Sequence, residues 1–214
     1  MRTRLKVCCI ASRAEAAIAV RAGADALGLV GVMPSGPGPI SDALAAEIAR
    51  AAPPPVGAWL LTSEADGGAV AAHAAVVGVS TVQIVRHLAP AEHRRVRAAA
   101  PALRIIQVVH VEDETALELA RAYAETADAL LLDSGRPGAG ELGGTGRAHD
   151  WTLSARIVEA VDSPIFLAGG LTAANVAEAV RRVRPFGVDL CSGVRTEGAL
   201  DEAKLAGFVR ALAL

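Results

Sequence analysis

Short apolar runs alternate with longer alanine-rich segments along the whole chain. The runs are rich in Val, Leu and Ile, a composition typical of strands that are buried on both faces of a parallel sheet. We predict strands over residues 5–10, 24–32, 56–61, 81–85, 103–111, 130–133, 164–168 and 188–191. We predict helices over residues 13–22, 42–51, 68–77, 90–99, 113–126, 151–161, 173–184 and 201–212.

Residues suited to helix ends stand at several of these boundaries. Ser12, Ser41 and Thr172 precede their helices and are predicted to be N-caps. Pro90 occupies the first position of the fourth helix, where the missing proline N–H costs little. Gly23 suits the end of the first helix. The boundaries therefore agree with the apolar pattern.

The eight strand–helix alternations predict an α/β fold. They favour a single (β/α)8 TIM barrel over residues 1–214, with a doubly wound sheet as the alternative. The segments 23–28, 126–131 and 186–191 resemble one another, because each places a small residue and an aspartate before or within a strand. Such internal echoes are expected of a repeated strand–helix unit.

Composition and charge exclude several classes of partner. Hydrophobic residues make up 52% of the 214 residues and aromatic residues 3%, so Ala, Val, Leu and Ile must form the core. The net charge of −2, without a basic run, predicts no nucleic-acid partner. No long apolar stretch or secretory signal is visible, so we expect no membrane partner. Three cysteines are too few for a disulfide framework and favour a reducing cytoplasmic location.

The segment 130–151 combines an acid at a strand end with a long glycine-rich loop. The apolar run ends at Asp133, and the loop contains Gly143, Gly144, Thr145 and Gly146 before helical composition resumes. Long loops in compact domains are often functional, and bare backbone can approach an anion closely. This segment therefore predicts a carboxylate beside an anion-binding loop.

Other strand ends carry groups that can complete such a site, because functional groups of these barrels gather where the strands end. Gly169-Gly170 follow the seventh predicted strand and Ser192-Gly193 the eighth. Together with the glycines of the long loop, they predict one phosphate site. The alternative is that these glycines only make tight turns.

The end of the first strand offers a possible proton-transfer partner for Asp133. Cys8 lies there, and we expect it to face Asp133 across the barrel mouth. A thiolate can accept a proton and a carboxylic acid can deliver one. The alternatives are a buried, inert Cys8 and an Asp133 that only caps the loop.

Motifs along nearly the whole chain resemble those of the phosphoribosylanthranilate isomerase family. The matching segments are 6–8, 23–28, 131–134, 143–146, 150–151, 167–171, 175–176, 188–189 and 192–194. The resemblance implies a (β/α)8 barrel that catalyses an Amadori rearrangement in tryptophan biosynthesis without cofactor or metal. It implies that Cys8 is the general base, that Asp133 is the general acid, and that residues matching Gly144, Thr145, Gly146, Gly169, Gly170, Ser192 and Gly193 bind the phosphate.

The chain departs from the family pattern where the family recognises anthranilate. Cys9 replaces the glycine that follows the catalytic cysteine, and Gly38 replaces the arginine that binds the anthranilate carboxylate. Losing such a charge-assisted contact costs roughly 1.5–3 kcal/mol. Arg86 or Arg195 can supply a cation from another strand, the alternative being that both are surface arginines.

The leading hypothesis is therefore an isomerase that acts on an N-(5-phosphoribosyl) amine, with anthranilate as the default amine. The alternatives are a paralogue acting on another phosphorylated sugar conjugate and a non-catalytic barrel that binds a phosphometabolite. We expect a small phosphorylated sugar as the only partner, in a monomer or homodimer. A Schiff-base aldolase is disfavoured, because Lys6 is expected below the barrel mouth and Lys204 in an outer helix.

Overall fold

A closed barrel of parallel strands forms the centre of the computed structural model, which describes residues 2–34, 36–135 and 150–213. Eight strands follow one another around the barrel in chain order, and β8 closes it by pairing with β1. The strands are β1 (Arg4–Val7), β2 (Ala26–Val30), β3 (Gly57–Thr62), β4 (Thr81–Ile84), β5 (Arg104–His110), β6 (Ala129–Asp133), β7 (Ile165–Leu167) and β8 (Gly187–Leu190). The predicted (β/α)8 fold is confirmed.

Each strand is followed by a helix on the outside of the barrel. The helices are α1 (Arg13–Arg21), α2 (Asp42–Ala51), α3 (Gly67–Val77), α4 (Pro90–Ala99), α5 (Thr115–Ala124), α6 (Trp151–Ala160), α7 (Val176–Val183) and α8 (Glu202–Leu212). Ser12 and Ser41 cap α1 and α2 by accepting hydrogen bonds from backbone N–H groups, as predicted. No helix in the described ranges is long and apolar enough to cross a membrane.

One capping prediction was wrong. Thr172 does not cap α7, because the helix begins only at Val176 and Asn175 is the residue before it; the Thr172 N–H donates to the Asn175 side chain. The segment between β8 and α8 also contains an element that was not predicted, a hairpin of two short strands, β9 (Arg195–Thr196) and β10 (Ala199–Leu200). Strands of two residues are too short to produce a hydrophobic pattern in the sequence.

The core has an outer and an inner layer. The outer layer lies between barrel and helices and contains mainly Val, Leu, Ile and Ala. The inner layer fills the barrel, where Trp59 and Phe166 pack edge to face with ring centroids 5.0 Å apart. The same interior surface continues upward to Cys8 and Ala168 near the strand ends. Large side chains therefore fill the lower barrel, and smaller ones surround its mouth.

The repeated aspartates at the strand starts connect neighbouring strands. Asp25 precedes β2 and accepts a 2.8 Å hydrogen bond from the backbone N–H of Leu5 in β1. Asp128 precedes β6 and accepts an equivalent 2.8 Å bond from Ile105 in β5. Asp189 in the third echo is different, because it lies inside β8 and points into the barrel, where it pairs with Lys6. The aspartates of the three similar segments therefore have two different roles.

Asp128 also pairs with Arg104 and Arg97 at 2.8 and 3.0 Å. Burial works to raise the pKa of Asp128, but the bond from Ile105 and the two arginines outweigh it and hold that pKa below its usual range. The folded state thus binds fewer protons at this site than the unfolded state in moderately acidic solution. The resulting stabilisation is present above the unfolded pKa and is lost as the pH falls through the folded pKa.

We expect Asp128→Ala to lower the free energy of unfolding by about 1–3 kcal/mol, because the buried Ile105 N–H loses its acceptor. Asp128→Asn keeps an acceptor and should lose less. Urea unfolding at neutral pH and at about pH 3 measures both effects, and the difference between wild type and Asp128→Asn should shrink in acid. Equal losses in the two variants would show that the backbone contact contributes nothing.

Candidate active site

A pocket opens at the end of the barrel where the strands terminate. Its lining includes Cys8, Asp133, Gly169-Gly170 and Ser192-Gly193, which the sequence assigned to one site. The structure therefore brings together the predicted acid–base residues and the described part of the predicted phosphate site. Gly144, Thr145 and Gly146 lie outside the described residues, and their role stays a prediction.

Cys8 lies directly beyond β1 and is buried, with 6% of its surface exposed. Its backbone N–H donates to Leu190 of β8 at 2.8 Å, which fixes it at the seam of the barrel. A methyl group added to Gly28 of β2 would lie 2.8 Å from the Cys8 sulfur and 3.0 Å from the Lys6 Nζ. Only glycine at position 28 allows this close approach. The two distances also show that the Cys8 thiol and the Lys6 ammonium lie next to the same point of β2.

Lys6 and Asp189 form an ion pair inside the barrel, below Cys8. The Lys6 Nζ lies 2.8 Å from Asp189 Oδ2, with 0% and 7% of the two side chains exposed. Burial alone would lower the pKa of Lys6, but Asp189 and the neighbouring Cys8 raise it. A proton is therefore held firmly on Lys6, which places a positive charge beside the Cys8 thiol.

Asp133 is the last residue of β6 and lines the pocket. Its Oδ1 accepts a 2.7 Å hydrogen bond from the backbone N–H of Ser134, which orients the carboxyl group. The side chain is only partly buried, so it remains accessible to a molecule in the pocket.

The loops after β7 and β8 approach one another through glycine. Gly169 and Gly170 have φ values of 80° and 63°, which favour glycine, and the Asn175 side chain donates to the Gly170 carbonyl at 3.0 Å. A methyl group on Gly193 would lie 2.1 Å from the Leu171 carbonyl oxygen, so no side chain fits there. Ser192 starts a single 3-10 turn, where backbone N–H groups lack internal partners. This arrangement suits an anion.

Cys9 lines the same pocket in an unusual backbone conformation. Its φ of 60° lies in the left-handed region, which costs a non-glycine residue roughly 1–2 kcal/mol. A Cβ on Gly38, which has a φ of 91°, would lie 2.8 Å from the Cys9 Cβ and 3.2 Å from its sulfur. Cys9 therefore occupies the space that a side chain at position 38 would need. Cys9 and Gly38, the two positions at which the sequence indicated departures from the family pattern, are therefore in contact.

The arginines considered as replacement cations do not line the pocket in the described ranges. Arg195 was expected either to contact the ligand or to be a surface residue. Its side chain is 9% exposed, so the surface alternative is wrong, and the ligand contact stays a prediction. It bonds to Glu15 at 3.1 Å, and to the carbonyl groups of Cys8 and Cys9. It thereby holds the loop after β1 in place. Arg86 is exposed after β4, and its carbonyl accepts a bond from Gln107.

The sequence analysis gave no role in the site to three interior polar residues: Lys6, Gln83 and Asp189. Each interrupts an apolar strand, and that interruption is the signal that could have identified them. Gln83 Oε1 and Asp189 Oδ1 are buried and have no hydrogen-bond partner within the described part of the chain. Both residues line the pocket, so a bound molecule with hydroxyl donors can satisfy them.

No group of three or more His, Cys, Asp and Glu side chains in the described ranges could hold a metal ion.

Comparison with known proteins gives a consistent result. The family model for N-(5'phosphoribosyl)anthranilate (PRA) isomerase matches residues 5–211. An N-(5'-phosphoribosyl)anthranilate isomerase from Nitrosococcus oceani is 41% identical, with 98% of this chain and 97% of the relative covered. The Thermus thermophilus isomerase structure superposes with a TM-score of 0.84 at 28% identity, covering 99% and 98% of the two chains. A further isomerase structure, in complex with reduced 1-(o-carboxyphenylamino)-1-deoxyribulose 5-phosphate, gives 0.80 at 28% identity over the same shares.

We expect Lys6→Met to lower the free energy of unfolding by roughly 3–5 kcal/mol, because it leaves the Asp189 charge buried without a partner. Replacing both residues, as Lys6→Met with Asp189→Leu, should recover much of that loss. Urea unfolding measures both variants. Arg13→Met is the control, because its pair with Glu47 is exposed and should contribute no more than about 1 kcal/mol. A double variant as unstable as the single one would contradict this account.

Proposed function

The chain belongs to the N-(5'-phosphoribosyl)anthranilate isomerase family, and we propose that it rearranges a phosphoribosylated amine with Cys8 as general base and Asp133 as general acid. It is an aldose–ketose isomerase of the Amadori type. The observation that carries the assignment of roles is the pocket, in which the two side chains share one cavity with the glycine loops after β7 and β8.

The phosphate end of the substrate is assigned to those loops. Ser192 and Gly193 present backbone N–H groups at the start of a 3-10 turn, and Gly169-Gly170 face the same pocket. The close approach of Gly193 to the Leu171 carbonyl holds the loop after β8 against the loop after β7. The third predicted segment, Gly144 to Gly146, would complete the phosphate contacts.

The reaction needs one proton delivered and one removed. Asp133 protonates the ring oxygen, so that the ring C–O bond breaks and the nitrogen lone pair forms an iminium. The Cys8 thiolate then removes the C2′ proton, and the electrons of that bond neutralise the iminium to give an enolamine. Tautomerisation gives the 1-deoxyribulose 5-phosphate product. The free oxygens of Gln83 and Asp189 can accept hydrogen bonds from sugar hydroxyl groups.

Anthranilate is the default amine, but recognition of its carboxylate must differ from the family pattern. Cys9 occupies the space beside Gly38, and Arg195 is turned toward Glu15 and the loop after β1. The remaining described lining on this side is largely apolar, with Val30, Met33 and Leu61. These observations also favour, as a second candidate, a paralogue whose amine carries no carboxylate.

The assembly state is a separate proposal. A related structure from Thermotoga maritima is described as monomers generated from a dimeric isomerase. For this chain we retain a monomer or a homodimer acting in the cytoplasm, which a measurement of mass in solution can distinguish.

We expect the purified protein to turn over phosphoribosylanthranilate, with loss of substrate fluorescence as the readout. Cys8→Ala and Asp133→Asn should each lower kcat by roughly 10²–10⁴-fold, the usual contribution of a general acid or base. Asn retains the acceptor for the Ser134 N–H, so the fold around position 133 should persist. No turnover by the wild type would contradict the anthranilate reading and favour the paralogue or a non-catalytic barrel. Turnover that survives both substitutions would contradict the acid–base roles.

We expect Gly38→Arg and Cys9→Gly to be strongly coupled. Gly38→Arg alone should destabilise the protein by roughly 1–3 kcal/mol, because the new side chain meets Cys9 and the backbone is left-handed. In the double variant the contact is relieved, and the restored cation should lower the KM for phosphoribosylanthranilate about tenfold relative to Cys9→Gly. Thermal unfolding and steady-state kinetics measure the two effects. Purely additive stability changes would contradict the contact.

A further inference from the structure

All three cysteines of the chain lie at the mouth of the barrel. Cys8 and Cys9 follow β1, and Cys191 follows β8, the strand that pairs with β1 through Val7 and Leu190. Each of the three lines the pocket. The closure of the barrel therefore brings together thiols that are more than 180 residues apart in the sequence.

Two of these thiols are in direct contact. The sulfur atoms of Cys9 and Cys191 lie 2.8 Å apart, and both residues are free cysteines. A disulfide bond is about 2.05 Å long, so the sulfurs need approach each other by less than about 1 Å. The pairing of Val7 with Leu190 brings the ends of β1 and β8 together, so both cysteines lie within two residues of the last paired positions.

The two thiols differ in their electrostatic surroundings. The hydrogen bond from Cys9 and the charge of Arg195 lower the pKa of Cys191 against the opposing effect of burial. The hydrogen bonds with Cys191 and Cys8, together with burial, raise the pKa of Cys9. Cys191 is thus the more acidic thiol of the pair, and Cys9 the less acidic one. A thiolate beside a second thiol is the arrangement in which a sulfenic acid is converted into a disulfide.

We propose that Cys9 and Cys191 form a reversible redox pair that peroxide oxidises to a disulfide and that thereby switches the active site off. The effect on turnover rests on the function proposed above, whereas the disulfide itself does not. A peroxide is small enough to enter the pocket that both residues line, and Cys191 is partly exposed there.

The reaction balances with peroxide as the oxidant. The Cys191 thiolate attacks the peroxide, the O–O bond breaks, and Cys191 becomes a sulfenic acid while the departing hydroxide takes a proton from solvent and leaves as water. The sulfur of Cys9 then attacks the sulfenic sulfur and gives up its proton. The S–S bond forms, the S–O bond breaks and a second water leaves. A dithiol reductant returns both electrons and regenerates the two thiols.

The disulfide would connect the two loops on which the chemistry depends. Cys9 adjoins the proposed base Cys8, and Cys191 adjoins the proposed phosphate residue Ser192. A covalent bridge between them lies across the entrance that Cys8 shares with the phosphate loops. It should both displace Cys8 and restrict access to it.

The test uses the full-length protein, reduced and then treated with stoichiometric hydrogen peroxide. Mass spectrometry of proteolytic peptides under non-reducing conditions should identify a Cys9–Cys191 cross-link, with fragmentation distinguishing Cys9 from Cys8. Turnover of phosphoribosylanthranilate should fall at least tenfold and return with dithiothreitol. Cys9→Ser and Cys191→Ser, each compared with its own reduced form, should lack the dithiothreitol-reversible component.

Two readouts are independent of turnover. Cys8→Ser should still form the cross-link, since it retains both partners. Alkylation of Cys8 by iodoacetamide should be slower in the oxidised wild type than in the reduced protein. A protein that is inactive on phosphoribosylanthranilate yet forms the cross-link and protects Cys8 would overturn the proposed function and support the redox pair. Cross-links only to Cys8, or no cross-link at all, would overturn the pair, and a cross-linked enzyme with full turnover would overturn the switch.

Discussion

The buried ion pair between Lys6 and Asp189 is the interaction around which the catalytic end of the barrel is built. The two residues lie opposite each other in the register of β1 and β8, at the seam where the barrel closes. Two charges removed from water are costly, and an apolar pair of similar size is often at least as stable. The pair is therefore poorly explained by stability alone. Its position below Cys8 gives it a chemical use, since it holds a positive charge beside the proposed base.

The space above the pair exists because the barrel interior is filled unevenly. Trp59 and Phe166 occupy the lower layer, and a methyl group on Gly187 would lie only 2.4 Å from the Phe166 ring. Higher up, Gly28 allows Cys8 and Lys6 to pack closely against β2. The pocket opens beyond this level, where Gly169, Gly170 and Gly193 contribute no side chains to its lining.

The local sequence was sufficient to predict most of the fold and part of the candidate site. Apolar runs and capping serines predicted the strands and helices, and barrel geometry alone placed Cys8 and Asp133 at one end. What the sequence could not show were pairs made by closure: Lys6 with Asp189, Cys9 with Cys191, and Arg195 with Glu15. Each pair joins residues that are about 180 positions apart, and no local pattern encodes which of them meet. Arg195 lies in a hairpin of two strands of two residues each, which are too short to be predicted from the sequence.

Cys9 links two features that looked unrelated in the sequence. Its Cβ and sulfur occupy the space beside Gly38, where an arginine side chain cannot stand while the cysteine is present. The same sulfur contacts Cys191, whose surroundings Arg195 makes electropositive. The cysteine at this left-handed position therefore affects both the contacts available to the amine and the proposed reactivity of the mouth toward oxidants. Selection on one property of this residue necessarily acts on the other, because a single side chain makes both contacts.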